Sequence, residues 1–397
     1  MARIAYQKFE DHGPLYWSLL ALNAAVILAG LGAAYMMEHY GHIITGMNNQ
    51  IVWGIPHVFA VFLIVAASGA LNVASVATVF DRVEYKPYVR LSGLLAIALL
   101  VGGLSVLVLD LGRPDRLIVA MTTYNFKSIF AWNIFLYVGF VAIVAAYLFA
   151  MMDRGVSRAP MAARTIGRLA FVWRLVLTTG TGSIFGWLVA REAYDAAIMA
   201  PLFIAASLLY GLAFTVLMLA TLDRLQRQDF LTDEMARRFR GLLALFALAV
   251  LYFTALHHLT NLYAGEHRGV ERFLLLEGGQ YTVVFWIGQI LIGGILPLAI
   301  LAAPDFGRSR TGITIASTLF LIGGLAQMYV IIIGGQAYPL NLFPGMEVTS
   351  SFLDGKVANY RASWPEILLG LSGLSIAMLV IGIAFKLLPF LPRPVRD

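Results

Sequence analysis

Residues 54–79 read GIPHVFAVFLIVAASGALNVASVATV, and this stretch decides the fold. It contains no Asp, Glu, Lys or Arg, and its one titratable side chain is His57. A helix of that length crosses the roughly 30 Å hydrocarbon core of a bilayer with some to spare, either tilting or starting outside it. Comparable apolar runs occupy roughly 17–38, 90–111, 129–152, 167–190, 199–222, 240–264, 281–302, 312–334 and 366–388, each near the ~20 residues a span requires. The first run is too long for a secretory signal and follows a polar stretch that includes Glu10, Asp11 and His12, so it reads as a retained helix. The whole chain agrees with this reading. Of 397 residues, 60% are apolar and 13% charged, and the mean hydropathy is +0.81. Ordinary soluble domains are about half apolar and about a quarter charged. The expected fold is an all-α integral membrane protein with about ten transmembrane helices, in one polytopic unit covering 1–397. A soluble multidomain enzyme and a disordered chain are both excluded.

Basic residues orient the helices. With the N-terminus inside, the inner loops and tails carry about 19 of the 28 Lys and Arg, and the outer loops about 8. The loop after the sixth run is the richest, with Arg224, Arg227, Arg237, Arg238 and Arg240. Both termini are therefore expected to be cytoplasmic, with anionic lipid headgroups as partners of the inner face. No basic stretch interleaved with aromatics suggests nucleic acid. The longest connection, roughly 335–365, lies on the outer face, carries Pro339, Pro344, Gly345 and Pro365, and reads as a docking surface or as a packed cap. Small residues recur at Ala66, Ala67, Ser68, Gly69 and Ala70, at Gly182 and Gly186, at Gly293 and Gly294, and at Gly323 and Gly324. Such residues let helices approach closely in lipid.

The protein has no cysteine. Iron–sulfur clusters, thiolate zinc and covalently attached haem c all need thiols, so none is expected here. No Walker A, Rossmann or His-Glu-x-x-His sequence occurs, which argues against ATP-driven transport and zinc proteolysis, and no metal site is read from the sequence.

Ionisable groups within or beside apolar spans are the first candidates for function. Six of the seven histidines, His39, His42, His57, His257, His258 and His267, fall at the outer face under this topology. His57 lies about one turn into the second span. Asp110 ends the third, at matching depth. After it, Gly112 and Pro114 force a turn, where Arg113 has Asp110 and Asp115 as alternative partners. The fourth span opens on the same side with Asn125, Lys127 and Trp132. A quinone headgroup needs apolar and aromatic walls, hydrogen bonds to two oxygens and exchange of two protons. His57 and Asp110 meet the proton requirement, Arg113 is expected to orient Asp110, and Trp132 to wall the ring. The competing reading is an interfacial carboxylate that pins a turn and a histidine bonded to a nearby carbonyl.

A second outer cluster holds His257, His258, Thr260 and Asn261. Adjacent histidines on a helix diverge by about 100°, so at most one is expected to face a given site. A haem ligated by these histidines and His57 is disfavoured, because no second transverse pair exists. Arg174 is buried in the fifth span, with Asp223 as a possible counter-ion, and Thr178 and Thr181 lie above it. These residues, with His257 and His258 at the far side, outline a proton path, unless the hydroxyls simply bond back to their own helix. Gln289 and Gln327 read as interhelical hydrogen-bonding groups.

Trp53-Gly54-Ile55-Pro56-His57-Val58-Phe59 and Leu109-Asp110-Leu111-Gly112-Arg113-Pro114-Asp115-Arg116 resemble the NrfD-like, or polysulfide reductase membrane-subunit, family. With Gly46-Met47-Asn48-Asn49-Gln50 through Asn133, the pattern is most similar to the DsrP branch of sulfur-metabolising bacteria. The resemblance implies two four-helix bundles plus flanking helices, spans 2–5 over about 54–190 and spans 6–9 over about 199–334. It implies a quinone (menaquinone or ubiquinone) bound near the outer face by a chain without haem or iron–sulfur clusters of its own. It implies a periplasmic ferredoxin-like iron–sulfur partner, with a cytochrome b-type membrane protein, a multihaem cytochrome c and a cytoplasmic iron–sulfur protein as further subunits. Quinone contacts are then expected at His57, Asp110, Arg113, Asn125, Lys127 and Trp132. The expected function is electron transfer between the inner-membrane quinone pool and an iron–sulfur subunit, linked to sulfur metabolism. The alternatives are a secondary transporter of a small anion and a structural anchor without cofactor.

Overall fold

The computed structural model describes residues 4–10, 13–152, 160–340 and 355–393. Ten helices among these residues are long and apolar enough to cross a membrane. They are α1 (Pro14–Tyr40), α2 (Ile55–Thr78), α3 (Val83–Leu109), α4 (Ile129–Met152), α5 (Ala163–Gly186), α6 (Met199–Gln226), α7 (Asp233–Tyr263), α8 (Gln280–Ala302), α9 (Arg310–Ala337) and α10 (Trp364–Leu387). The protein is an all-α, multi-pass membrane protein.

The expected spans all form, and their ends move for identifiable reasons. The helix α7 begins seven residues before the apolar run at 240, because Thr232 caps it: its side chain accepts from the Met235 amide, with Asp233 and Glu234 in the first turn. Hydropathy does not register a polar first turn. The helix α5 ends at Gly186, and residues 187–198 form turns. Arg174 therefore sits about three turns inside α5. Within the 335–365 connection, residues 341–354 lie outside the described residues, as does His12.

The helix α2 is central, with 89% of its apolar window buried, whereas α1 buries 17%. It packs on α3, α5, α6, α9 and α10. The small residues make this possible. A Cβ at Gly69 would overlap the Ser207 carbonyl of α6, so the two backbones touch there without side chains between them. Gly293 of α8 and Gly323 of α9 make the corresponding crossing farther along the chain. The helices α2–α5 contact one another in a closed circuit. So do α6, α7, α8 and α9, while α10 packs on α2 and α3, and α1 leans on α10.

Two departures from α-helix matter for the site. Residues Val284–Ile295 of α8 and Val330–Gly334 of α9 are π-helical, a wider winding that is rare and frequently local to functional positions. Near the ends of the described chain, Tyr6–Gln7 (β1) pairs antiparallel with Leu391–Pro392 (β2). Both terminal segments thus lie on one face of the membrane domain. The first turns of α2, α4, α6, α8 and α10 lie on the opposite face.

Candidate functional site

On the face opposite the termini, Gly54 precedes α2, and Pro56 takes a position in the first helical turn that needs no amide donor. His57 follows. Its Nδ1 lies 2.7 Å from Oδ2 of Asp110, the residue that caps α3. The Asp110 side chain is 1% exposed and that of His57 18%. The approach is close but off the alignment of a hydrogen bond, and neither Asp110 oxygen has an aligned donor among the described residues. A carboxylate buried this way leaves acceptor capacity for a ligand. The backbone of the same residue is held by His42, whose Nε2 lies 3.1 Å from the Asp110 carbonyl. His42 belongs to the short turn after α1. Its outer position marks it in the sequence, but no local motif ties it to Asp110.

The aromatic wall is Trp53. Its ring stacks on His57 at 6.0 Å and meets Phe130, Phe185 and Tyr194 at 5.8, 6.1 and 6.4 Å. The segment carrying it is pinned from α9. Gln336 is fully buried, its Oε1 accepting from the amides of Val52 and Trp53, and its Nε2 donating to the Trp53 and Ile332 carbonyls. Arg191 donates to the carbonyls of Gln336 and Gln50, and burial holds its guanidinium below the ordinary arginine range. From α10, Glu366 accepts from Gly46 N, Ser363 N, Ser363 Oγ and the Tyr360 hydroxyl. Tyr360 in turn accepts from the Ile55 amide at 2.8 Å. Burial, reinforced by Glu366, pushes the Tyr360 phenol upward, so it stays a neutral donor. Gln336, Arg191, Tyr360 and Glu366 are invisible to sequence reasoning. Each lies in a different segment from the motif it holds, and nothing in local spacing connects them.

Four of the expected quinone contacts have local partners in this structure. Arg113 does not orient Asp110. Its guanidinium forks onto Asp115 at 3.0 and 2.8 Å, two residues away in the same turn, and holds that carboxyl below its usual range. Both side chains are about 60% exposed, so this is a surface pair worth little energetically. Asn125 accepts from the Lys127 amide in a local turn, and both residues are exposed. Trp132 is 48% exposed, donates to the Phe126 carbonyl and packs on Phe126 and Phe135. Two residues along a helix are about 200° apart. Phe130 meets Trp53, so Trp132 faces away from it.

The fifth-span hydroxyls bond back to their own helix and also reach across to Ser68 of α2 and Asn133 of α4. Thr178 Oγ1 donates to the Arg174 carbonyl and Thr181 Oγ1 to that of Leu177. Arg174 is 3% exposed and pairs with Asn72 Oδ1 at 3.0 Å, not with Asp223. Asp223 accepts from the amides of Phe230 and Leu231. Nε and Nη1 of Arg174 have no partner among the described residues.

At the second cluster the expected divergence of His257 and His258 does not separate them. Their rings are 5.0 Å apart. His258 Nδ1 lies 2.6 Å from Glu271 Oε2, and Asn261 bridges Glu271 Oε1 and the His257 ring. Glu271, 1% exposed, comes from the Arg268–Arg272 turn folded against the end of α7. Below it, Thr254, Gln289 and Gln327 line two small cavities between α6, α7, α8 and α9. Gln327 also accepts from the Tyr210 hydroxyl.

Sequence comparison agrees with the architecture and with the motifs around His57 and Asp110. The profile of the family described as Polysulphide reductase, NrfD matches residues 44–339. The protein is 28% identical over 395 residues to the Hdr-like menaquinol oxidoreductase integral membrane subunit of Archaeoglobus fulgidus, spanning 97% of both sequences. It is 28% identical to a putative dimethyl sulfoxide reductase membrane subunit of Halobacterium salinarum, over 98% of its own length and 94% of the relative's. It is 23% identical to a component of the polysulfide reductase of Wolinella succinogenes, over 73% of its own length and 96% of the relative's. The family match takes in both motifs, the central helix α2 and the Gln336 brace, and on that ground the chain belongs to the NrfD polysulphide reductase family.

Proposed function

We propose that this protein is the quinone-reactive membrane subunit of a respiratory electron-transfer complex. In this reading it passes electrons between the membrane quinone pool and an iron–sulfur partner subunit. The observation that carries it is the buried His57–Asp110 pair, 2.7 Å apart, beside the Trp53 ring. The residues suit a quinone headgroup. Asp110 has acceptor capacity unfilled among the described residues, the exposed edge of His57 supplies a second hydrogen-bonding group, and Trp53 offers a flat apolar face. His57 and Asp110 hold and release protons, His42 fixes the Asp110 backbone, and Trp53 positions the ring. Electrons leave the site through a partner, since the protein has no cysteine with which to bind a cluster.

The Lys and Arg distribution supports an inner-membrane orientation with both termini cytoplasmic, which places this site at the outer face. The partner is then a periplasmic iron–sulfur protein. The relatives named as parts of menaquinol, dimethyl sulfoxide and polysulfide enzymes support assembly into such a complex. The resemblance to the DsrP branch favours a sulfur-linked complex, with the cytochrome b-type, multihaem cytochrome c and cytoplasmic iron–sulfur subunits as its further members. The helices α2–α5 then form the bundle that carries the site, and α6–α9 a second bundle. Arg174, Thr178 and Thr181, already bonded within the protein, fit a structural role better than a proton path. Protons at the second bundle would instead be handled by His257, His258 and Glu271.

The test is a titration of a quinol-analogue inhibitor by tryptophan fluorescence on the purified protein. Binding is expected to saturate, to weaken about tenfold in Asp110→Asn, roughly 1.4 kcal/mol, and to lose most of its quenching in Trp53→Phe. Equal, non-saturating quenching in all three proteins would overturn the assignment and return the anion-transporter and anchor readings to the front.

A further inference from the structure

We propose that His257, His258 and Glu271 form a binding site for a zinc-class divalent metal ion, in a different group of helices from the His57 site. A nitrogen from each imidazole and a carboxylate oxygen lie within 4.8 Å of one another. Adjacent histidines on one helix rarely serve one centre, because their side chains diverge. Here the third ligand comes to them. The turn Arg268–Arg272 folds back against α7 and delivers Glu271 beside both rings.

The donor set decides the class of ion. Two imidazoles and one carboxylate suit zinc, cobalt, nickel or copper, whereas magnesium and calcium prefer all-oxygen shells. Three protein ligands leave a fourth position open. Next to the rings is a cavity of about 20 Å³ bordered by Thr254, His257, His258 and Gln289, room for one water. Thr254 Oγ1, Gln289 Oε1 and His257 Nδ1 are all buried there without partners among the described residues. A metal-bound water in the cavity would meet the first two, and a ring nitrogen of His257 would meet the ion. Asn261 Nδ2 already supports Glu271 Oε1 at 2.9 Å from outside the ligand set, the kind of outer contact that orients metal-binding carboxylates.

His258 Nδ1 and Glu271 Oε2 lie 2.6 Å apart. A bound ion would sit between them. The two atoms then open to roughly 3.3 Å, as bonds of about 2.0 Å in a tetrahedral shell require. Occupancy therefore ties the Arg268–Arg272 turn to α7.

The experiment uses the untagged full-length protein in detergent, titrated with Co²⁺ and followed by the visible ligand-field bands of a four-coordinate ion. A saturable, stoichiometric signal displaced by Zn²⁺ is expected. His258→Ala and Glu271→Gln should each weaken it at least tenfold, while His39→Ala, at the end of α1, should leave it unchanged. A measurement on the unaltered protein stands beside the variants: Zn²⁺ should shield His257 and His258 from an imidazole-acylating reagent, as mapped by mass spectrometry, and leave His39 reactive. No saturable signal, a signal that survives Glu271→Gln, or equal labelling with and without Zn²⁺ would overturn the site.

Discussion

Asp110 and Glu366 are both buried carboxylates on the same face of the molecule, and they do opposite things. Glu366 accepts from four donors, two backbone amides and two hydroxyls, so its charge is neutralised by fixed dipoles and it has nothing left to offer a ligand. Asp110 has one near neighbour, the His57 ring, and no aligned donor among the described residues. A fully bonded buried carboxylate builds structure, and an under-bonded one is where chemistry is expected. The distinction yields a prediction at Tyr360. Its hydroxyl accepts from the Ile55 amide and donates to Glu366 Oε1, so Tyr360→Phe strands a buried donor and a buried acceptor together. The expected cost is about 1–3 kcal/mol, read as a fall in the thermal midpoint of the purified protein. Inhibitor affinity should fall as well, since Ile55 begins the helix that carries His57. An unchanged midpoint would mean that the brace is not formed. The sequence made Asp110 and His57 visible because an ionisable group beside an apolar span is rare. It hid the difference between Asp110 and Glu366, because that difference lies in donors contributed by residues far away in the chain, such as Gly46.

Among the elements, α2 is the one on which the site depends, and its small residues explain why. Gly69 lets α2 approach α6 until backbone meets backbone, and a Cβ there would overlap the Ser207 carbonyl. In lipid no hydrophobic gain drives helices together, so this close packing and the dispersion it provides hold α2 at the centre. Gly32 of α1 has open space where its Cβ would be. Gly69→Ala is therefore expected to destabilise by about 1–3 kcal/mol through overpacking. Gly32→Ala should be neutral or stabilise by up to about 1 kcal/mol through helix propensity. The comparison is a denaturation series in one detergent, and equal effects would refute the close contact. Spans were legible because hydrophobic length is a local property. The π-helical winding of Val284–Ile295 was not, since it depends on how α8 packs against α9. Nor was the true face of Trp132, because the position of Phe130 against Trp53 fixes the rotation of α4.

At the scale of the whole molecule, the ten spans and the β1–β2 pair place both terminal segments on one face. Arg90 reinforces the arrangement by donating to the carbonyls of Pro389 and Met151 while its guanidinium covers the Tyr6 ring at 3.9 Å. The His57–Asp110 pair, the Gln336 and Glu366 braces and the His257–His258–Glu271 cluster all occupy the opposite face. The function proposed above needs that face to be outside, and the basic residues supply the argument: the richest loop, after α6, is on the side of the termini. The protein has no native cysteine, so single cysteines can report its sidedness without background. Asp305→Cys lies in the exposed turn after α8 on the terminal side, and Lys356→Cys is exposed before α10 on the other. In intact spheroplasts a membrane-impermeant thiol reagent is expected to label Lys356→Cys and to spare Asp305→Cys, with both labelled after lysis. The reverse pattern would put His57 and Asp110 at the cytoplasmic face. Protons would then be exchanged with the cytoplasm, and the iron–sulfur partner would have to be a cytoplasmic protein.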